Sequence, residues 1–305
     1  MNHPPLVSIV TPSYNQGQFL EETILSVLNQ DYPNLEYILI DGGSTDGSVD
    51  IIRKYEDRLA YWVSEPDAGQ SDAINKGWRR STGEIVAFLN SDDTYEPSAV
   101  TTAVQTLTEH PQVYLVYGDL NFIGPKGSFL YRDHPPDFDL RTFIGGRDYI
   151  PQPTTFFRRV VLDKVGMLDL GYQYAMDYEF FIRICSRFPV LYIPCVMANF
   201  RIHDAQKAIA GRDSEKMATL KILEEVGRDT GFTMEVRALA WRRIGRYYYE
   251  KRDMKLARRS FIQAFRTHWQ FLLNKEGLYL FSKSLLGGRI VEKASKMRRK
   301  LSRSI

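Results

Sequence analysis

In the N-terminal third of the chain, short apolar runs alternate with amphipathic stretches. Residues 6–11 are β-rich and stop at Pro12. Residues 19–28 carry Phe19, Leu20, Ile24, Val27 and Leu28 at helical spacing. A second apolar run, 35–40, closes on Asp41-Gly42-Gly43, and 46–55 has a helical pattern that buries Ile51 and Ile52. Tyr61-Trp62-Val63 predicts a short strand and 72–80 a helix. Residues 84–89 form an apolar run of the kind found in strands covered on both faces. Strands separated by helices of this length predict βαβ units and a mostly parallel sheet flanked by helices, an α/β fold.

The pattern then loosens. Residues 113–117 predict a strand, and Gly124-Pro125-Lys126-Gly127 a hairpin turn between Leu120 and Tyr131. Pro135-Pro136 and Gly145-Gly146 mark loops, 154–157 a strand and 178–188 a helix. Beyond 212 the spacing is helical to the end. Residues 237–250 and 254–265 predict a helical hairpin turned at Lys251-Arg252-Asp253, similar to a single tetratricopeptide unit. The expected division is therefore 1–211, an α/β domain, and 212–305, a helical C-terminal region with a basic tail.

Charge sharpens this division. Residues 237–305 hold 19 Lys+Arg against 4 Asp+Glu, whereas 1–236 hold 21 against 33. An acidic main domain argues against a nucleic-acid partner and suits a protein that recruits a cation to handle phosphates. In the tail, Arg289, Lys293, Lys296, Arg298, Arg299, Lys300 and Arg303 are interleaved with apolar residues. That pattern is open to three readings, a solvated end, a basic amphipathic helix on an anionic membrane surface, or, last, a nucleic-acid contact, for which no binding motif accompanies the charge. The two cysteines have no metal-ligand spacing, and no leader or spanning segment is recognisable, so a cytoplasmic protein, at most peripheral on the inner face of the membrane, is expected.

In open parallel sheets, ligands bind beyond the carboxyl ends of the strands. Four such ends carry hydroxyls, carboxylates and glycines here: Thr11-Pro12-Ser13-Tyr14-Asn15, Asp41 to Ser48, Glu65 to Gln70, and Asn90-Ser91-Asp92-Asp93. Two adjacent carboxylates at the end of an apolar strand repel, and a divalent cation with oxygen preference relieves the conflict. Asp41, in a loop of small residues, is a candidate to accept hydrogen bonds from a base or ribose. No Gly-Lys-Ser/Thr follows and Gly-x-Gly-x-x-Gly is missing, so neither a P-loop nor a dinucleotide fingerprint is present.

Residues 7–15, 41–48 and 83–93 and Met176-Asp177-Tyr178-Glu179, in that order, resemble the family-2 glycosyltransferases of the GT-A fold. The resemblance covers roughly residues 5–205. It implies inverting transfer of a hexosyl or N-acetylhexosaminyl group from a nucleotide-sugar, with a UDP-sugar the first donor to expect, to a glycan or lipid-linked acceptor, using Mg²⁺ or Mn²⁺. It also implies residue roles. Thr11, Pro12 and Tyr14 would line the base pocket, and Asp41 would contact the base. Asp92 would hold the ribose, Asp93 the metal, and Asp177 would be the general base, with Glu179 as its rival. Many members carry Ala-Arg-Asn where this chain has Ala73-Ile74-Asn75, and Asp72 is the candidate to take over donor contacts. His203 is a second candidate metal ligand, with Arg201 beside it as a phosphate contact. Gln152, in Pro151-Gln152-Pro153, is a candidate acceptor contact. Two rival classes stay open: a nucleotidyltransferase, and a non-catalytic protein that binds nucleotide-sugar or polysaccharide.

Overall fold

The structure, a computed structural model, describes residues 3–146, 148–204, 206, 211–269 and 275–285. It divides into two compact units. The first comprises Met1–Phe138 and Tyr149–Glu215, the second Asp139–Asp148 and Lys216–Ile305. The short segment 139–148 thus leaves the α/β unit and joins the helical one. The basic tail expected to form an amphipathic helix lies outside the described residues.

The first unit is built on one sheet. Its strands are β1 (Val7–Ser13), β2 (Leu35–Asp41), β3 (Tyr61–Ser64), β4 (Ile85–Phe88), β5 (Thr94–Tyr95), β6 (Leu115–Ile123), β7 (Phe129–Asp133), β8 (Phe156–Arg158) and β9 (Val190–Arg201). Their order is β3-β2-β1-β4-β8-β6-β9-β5, with β7 paired to β6. The β3-β2-β1-β4 half is parallel, as the alternation of runs and helices predicts. The other half is mixed: β8 is antiparallel to both β4 and β6, while β6 and β9 run parallel. All of β1 is buried, including the hydroxyls of Ser8, Thr11 and Ser13.

Helices α1 (Gly17–Leu28), α2 (Ser48–Arg53), α3 (Gln70–Arg80) and α4 (Ala99–Glu109) follow the strands they connect. The α3–β1 contact is close: a β-carbon at Gly77 would lie 2.4 Å from Val10 Cγ1, so only glycine lets the helix approach the sheet here. Trp78, fully buried on the same helix, meets Phe88, Phe157 and Phe180 at ring separations of 5.2–5.7 Å. These rings join α3, β4, β8 and α7 (Met176–Cys185) into one core.

Strand β9 has no counterpart in the sequence pattern, because Pro194 interrupts it. The sheet absorbs the proline in a bulge. Gly118 pairs with Ile193 and Asp119 with Val196, so Pro194 and Cys195 fall out of register.

Two short helices, α5 (Leu140–Gly145) and α6 (Val160–Val165), precede α7. The second unit holds α5 and most of α8 (Arg212–Arg228), together with α9 (Met234–Glu250), α10 (Met254–Thr267) and α11 (Lys275–Leu285). Thr233 and Asp253 cap α9 and α10 by accepting the amides of Val236 and Leu256. Together α9 and α10 form the helical hairpin expected from spacing. Gly245 lets them meet, since a β-carbon there would stand 2.7 Å from the Phe261 ring.

Candidate functional site

The ends of β1 and β2 form one wall. Asp41 is fully buried, and its carboxylate accepts from the amides of Gly43 and Ser44 and the hydroxyls of Ser44 and Ser64 at 2.5–3.1 Å. With both oxygens engaged, Asp41 shapes the loop, and the base contact expected of it would require displacing one of these donors. Thr11 is likewise buried and accepts the Tyr37 hydroxyl at 3.0 Å, and Pro12 is buried beside it. Of the three residues expected to line a base pocket, only Tyr14 is open, at 63% exposure. Its neighbour is a residue that sequence reasoning passed over. A β-carbon on Gly42 would lie 2.8 Å from Asp67 Oδ2 and 3.3 Å from the Tyr14 ring, so glycine lets both side chains close over the loop. The spacing from β3 could have singled out Asp67, but an acid in a Pro-Asp-Ala-Gly turn reads first as a turn residue.

The adjacent acids at the end of β4 separate in space. Asp93 is fully buried, and its Oδ1 accepts the Arg201 amide at 3.0 Å. Burial and then the neighbouring Asp92 push its carboxyl well above the ordinary range, against the opposing pull of the Arg201 and Asn90 donors. Asp92 instead meets His203, with Oδ2 to Nε2 at 3.0 Å. His203 sits on the Phe19 ring, with centroids 4.5 Å apart, which fixes its plane. Burial therefore argues against Asp93 as the metal ligand and leaves Asp92, expected at the ribose, beside His203 instead.

Arg201 corrects another expectation. It is 1% exposed and is no open phosphate contact. Its guanidinium reaches Glu22 Oε2 at 2.6 Å, the Asp92 carbonyl at 2.9 Å and the Pro125 carbonyl at 3.2 Å. It thereby ties α1, the Asp92 loop and the β6–β7 turn together. Its sequence neighbours give no sign of this, because the partners lie 76–179 residues away.

An amide chain runs behind these acids. Gln70 donates to Asn90 Oδ1 at 2.7 Å, and Asn90 donates to Gln152 Oε1 at 3.2 Å. Gln152 in turn donates to the Phe88 carbonyl at 2.7 Å. Gln152 is buried and supports the β4 end through this chain, with the acceptor contact expected of it not visible here. Asp72 is also structural: it accepts the Ala68 amide at 3.1 Å, with Lys76 and Arg79 within 3.7 and 3.8 Å.

Asp177 is the second residue of α7. Ala175 before it is held left-handed at φ 53°, ψ 26°, a strained arrangement for a residue with a β-carbon. The Asp177 carboxylate accepts the Tyr178 amide at 2.9 Å. Ser71 donates to Met176 Sδ at 2.7 Å, so the starts of α3 and α7 are fastened together. Glu179, the rival base, is taken by Arg183 through two bonds of 2.6 and 2.7 Å. Arg183 also donates to the Met167 carbonyl, so this pair holds the approach to α7.

Among the described residues, no three His, Cys, Asp or Glu side chains converge as a complete metal cage. The Asp92–His203 pair offers one carboxylate and one imidazole, short of a cation's full ligand set. A single sheet whose strand ends gather this acid–imidazole pair, an open tyrosine and a helix-start aspartate has the fold of the GT-A glycosyltransferases. Among solved structures it resembles Staphylococcus aureus TarS 1–349 in complex with UDP-GlcNAc, with a TM-score of 0.69 at 16% identity over 96% of this chain and 92% of that one. It also resembles the mannosyltransferase PcManGT of Pyrobaculum calidifontis in complex with GDP-Man and Mn²⁺, with a TM-score of 0.60 at 18% identity over 94% and 87%. The chain belongs to glycosyl transferase family 2, whose model matches residues 8–166. An uncharacterised glycosyltransferase of Mycobacterium tuberculosis is 36% identical over 203 residues, 66% of this chain and 76% of the relative. A putative teichuronic acid biosynthesis glycosyltransferase, TuaG of Bacillus subtilis, is 40% identical over 111 residues, 35% of this chain and 44% of the relative.

Proposed function

We propose that this protein transfers a hexosyl or N-acetylhexosaminyl group, with inversion, from a nucleotide-sugar to a hydroxyl of a glycan or lipid-linked acceptor. The observation that carries this reading is the Asp92–His203 pair, set at 3.0 Å beyond the end of β4. The Tyr14–Asp67 corner lies beyond β1 and β3 of the same sheet. Asp92 and His203 would hold Mg²⁺ or Mn²⁺. When bound, the cation supplies Lewis-acid stabilisation of the leaving diphosphate.

The chain's own residues do the rest. The Tyr14 ring offers a flat face to the base, and Asp67 accepts from its N–H groups. Arg201 holds the Asp92 carbonyl and the turn beyond β6, so the cation-binding acid keeps its place. Asp177, at a helix N-terminus that favours the carboxylate form, takes the proton of the acceptor hydroxyl. That hydroxyl then attacks the anomeric carbon from the face opposite the nucleotide, in one displacement. Glu179 is committed to Arg183, and we assign the role of base to Asp177. UDP is the first nucleotide to test, because a structural neighbour was solved with UDP-GlcNAc, and GDP-Man, the ligand of another, is the second. Among the described residues no helix is long and apolar enough to cross a membrane, and both cysteines are free. We place the protein in the cytoplasm, at the inner face of the membrane.

The test is a donor screen over UDP-, GDP- and dTDP-sugars with Mn²⁺, reading nucleoside diphosphate release with and without a hydroxyl acceptor. Release from one donor class, lost in EDTA, is expected. Binding without release from any donor would leave a non-catalytic nucleotide-sugar binder, and pyrophosphate release from a nucleoside triphosphate and a sugar phosphate would make it a nucleotidyltransferase.

A further inference from the structure

Helix α10 is fourteen residues long and carries Lys255, Arg258, Arg259 and Arg266 with no Asp or Glu. Its buried side consists of Met254, Ala257, Ser260, Phe261 and Ala264. The helical period therefore sets Lys255, Arg259 and Arg266 in one line on the opposite side, at i, i+4 and i+11. All three are exposed. Among the described residues, none of the three has a carboxylate within ion-pair distance, although other surface cations of this unit do: Arg141 meets Glu235 and Arg228 meets Glu224. Arg258, on the shoulder of the stripe, is half-buried and donates to the Ser284 carbonyl at 3.1 Å, which fastens α11.

Large apolar rings stand where this stripe ends. Trp269 is 65% exposed just beyond the helix end, and Phe265 in its last turn is exposed as well. On α11, Tyr279 and Leu285 are exposed, and the Lys283 ammonium lies 4.4 Å over the Tyr279 ring. The surroundings do not neutralise the stripe, because residues 216–305 carry 22 Lys+Arg against 8 Asp+Glu. Soluble surfaces ordinarily intersperse charges of both signs. An uncompensated cationic stripe repels itself, and an open tryptophan gains nothing from water. Both features become favourable at an anionic bilayer, where lipid phosphates meet the cations and the rings settle at headgroup depth.

We propose that the Lys255–Arg259–Arg266 face of α10, with Phe265 and Trp269 at its end, seats this protein on an anionic phospholipid surface. The purpose of such seating rests on the reading of a lipid-linked acceptor given above, but the binding itself is independent of transfer. The partner is a membrane surface, and the contact belongs to the folded helices rather than to the basic tail alone.

Two forms of the protein test this, the full chain and one ending at Leu286, each with the substitutions Lys255→Gln, Arg259→Gln and Arg266→Gln together. Glutamine keeps helix propensity, and a thermal melt checks folding. The probe is co-sedimentation with vesicles of phosphatidylglycerol and phosphatidylcholine against phosphatidylcholine alone, at low and high salt. At about fivefold per cation, the triple variant should partition about 100-fold more weakly at low salt. Wild-type binding should fall with salt and vanish on neutral vesicles. Intrinsic fluorescence should shift to the blue on anionic vesicles, and Trp269→Phe should remove most of that shift. Equal sedimentation of variant and wild type in both forms, or equal binding of wild type to neutral vesicles, would overturn the proposal. So would a variant that keeps vesicle binding but loses affinity for single-stranded RNA, which would make the face a nucleic-acid site. Nucleoside diphosphate release on a soluble acceptor, measured in parallel, should be unchanged in the variants. Its absence in wild type would count against the transferase reading and leave the vesicle result standing.

Discussion

Replacing the two neighbouring acids separately distinguishes what each does. Asp92→Asn removes a partly open carboxylate that faces His203 at 3.0 Å, and so removes charge from the cation site. Loss of groups that only orient a metal ligand weakens affinity by roughly 10–100-fold, and loss of a direct anionic ligand should exceed that. Asp93→Asn acts on a different physical situation. Its carboxyl is fully buried and pushed upward, first by burial and then by Asp92, so a charge at this position is costly. An amide oxygen can still accept the Arg201 N–H now bonded at 3.0 Å. A raised folded-state pKa stabilises only at acid pH, and that contribution is lost as pH rises through the folded value. Removing the charge should therefore cost little near pH 7 or stabilise slightly, within about 1 kcal/mol, which corresponds to roughly 2–4 °C in a domain of this size. The assay is thermal shift with UDP, titrated with Mn²⁺. Asp92→Asn should lose the Mn²⁺-dependent part of the shift while keeping the melting temperature of the free protein. Asp93→Asn should retain the Mn²⁺-dependent part. The reverse pattern, with Asp93→Asn blind to Mn²⁺ and Asp92→Asn responsive, would refute the reasoning from burial and restore the metal to Asp93.

Three further outcomes follow from the site and its supports. Asp177→Asn should lower turnover by about 10²-fold or more with donor binding intact; Glu179→Gln should instead lower stability by about 1–3 kcal/mol through the unpaired Arg183, and single-turnover assays with melting curves separate the two. Arg201→Met should cost about 1–3 kcal/mol, since it leaves the Asp92 carbonyl without its donor while Glu22 is open to solvent, and urea melts with Arg201→Lys as a partial rescue measure it. Glu36 accepts from Ser8 and Thr82, and these bonds hold its carboxyl below the ordinary value in spite of burial, which works the other way. A lowered folded-state pKa contributes stability above the unfolded value that is lost as pH falls through the folded one, so Glu36→Gln should destabilise at pH 7 and converge with wild type on acidification below about pH 4, as melts across pH would record.

The sequence by itself determined the repeated strand–helix order of the first half, the β6–β7 turn and the α9–α10 hairpin. Each of these is a local matter: apolar spacing, a glycine-proline turn, a capping Thr233 or Asp253. It also determined which strand ends would be polar, because βαβ connectivity places the loops after β1, β2, β3 and β4 at one edge. It could not reveal β9, whose pattern Pro194 breaks and whose bulge exists only against β6. Nor could it rank the acids. Asp92 and Asp93 are chemically identical neighbours, and only the chain folding back at Arg201 and His203 buries one and pairs the other. Asp41, Asp72 and Gln152 have the residue types of a binding site, but Asp72 is engaged by near neighbours, Asp41 by near neighbours and Ser64, and Gln152 by the distant Asn90 and Phe88. Asp67, which reads as a turn, becomes part of the site because Gly42 leaves room for it beside Tyr14. The physical reason is that an element forms from neighbours in sequence, whereas burial, desolvation and hydrogen-bond saturation depend on groups up to 179 residues away.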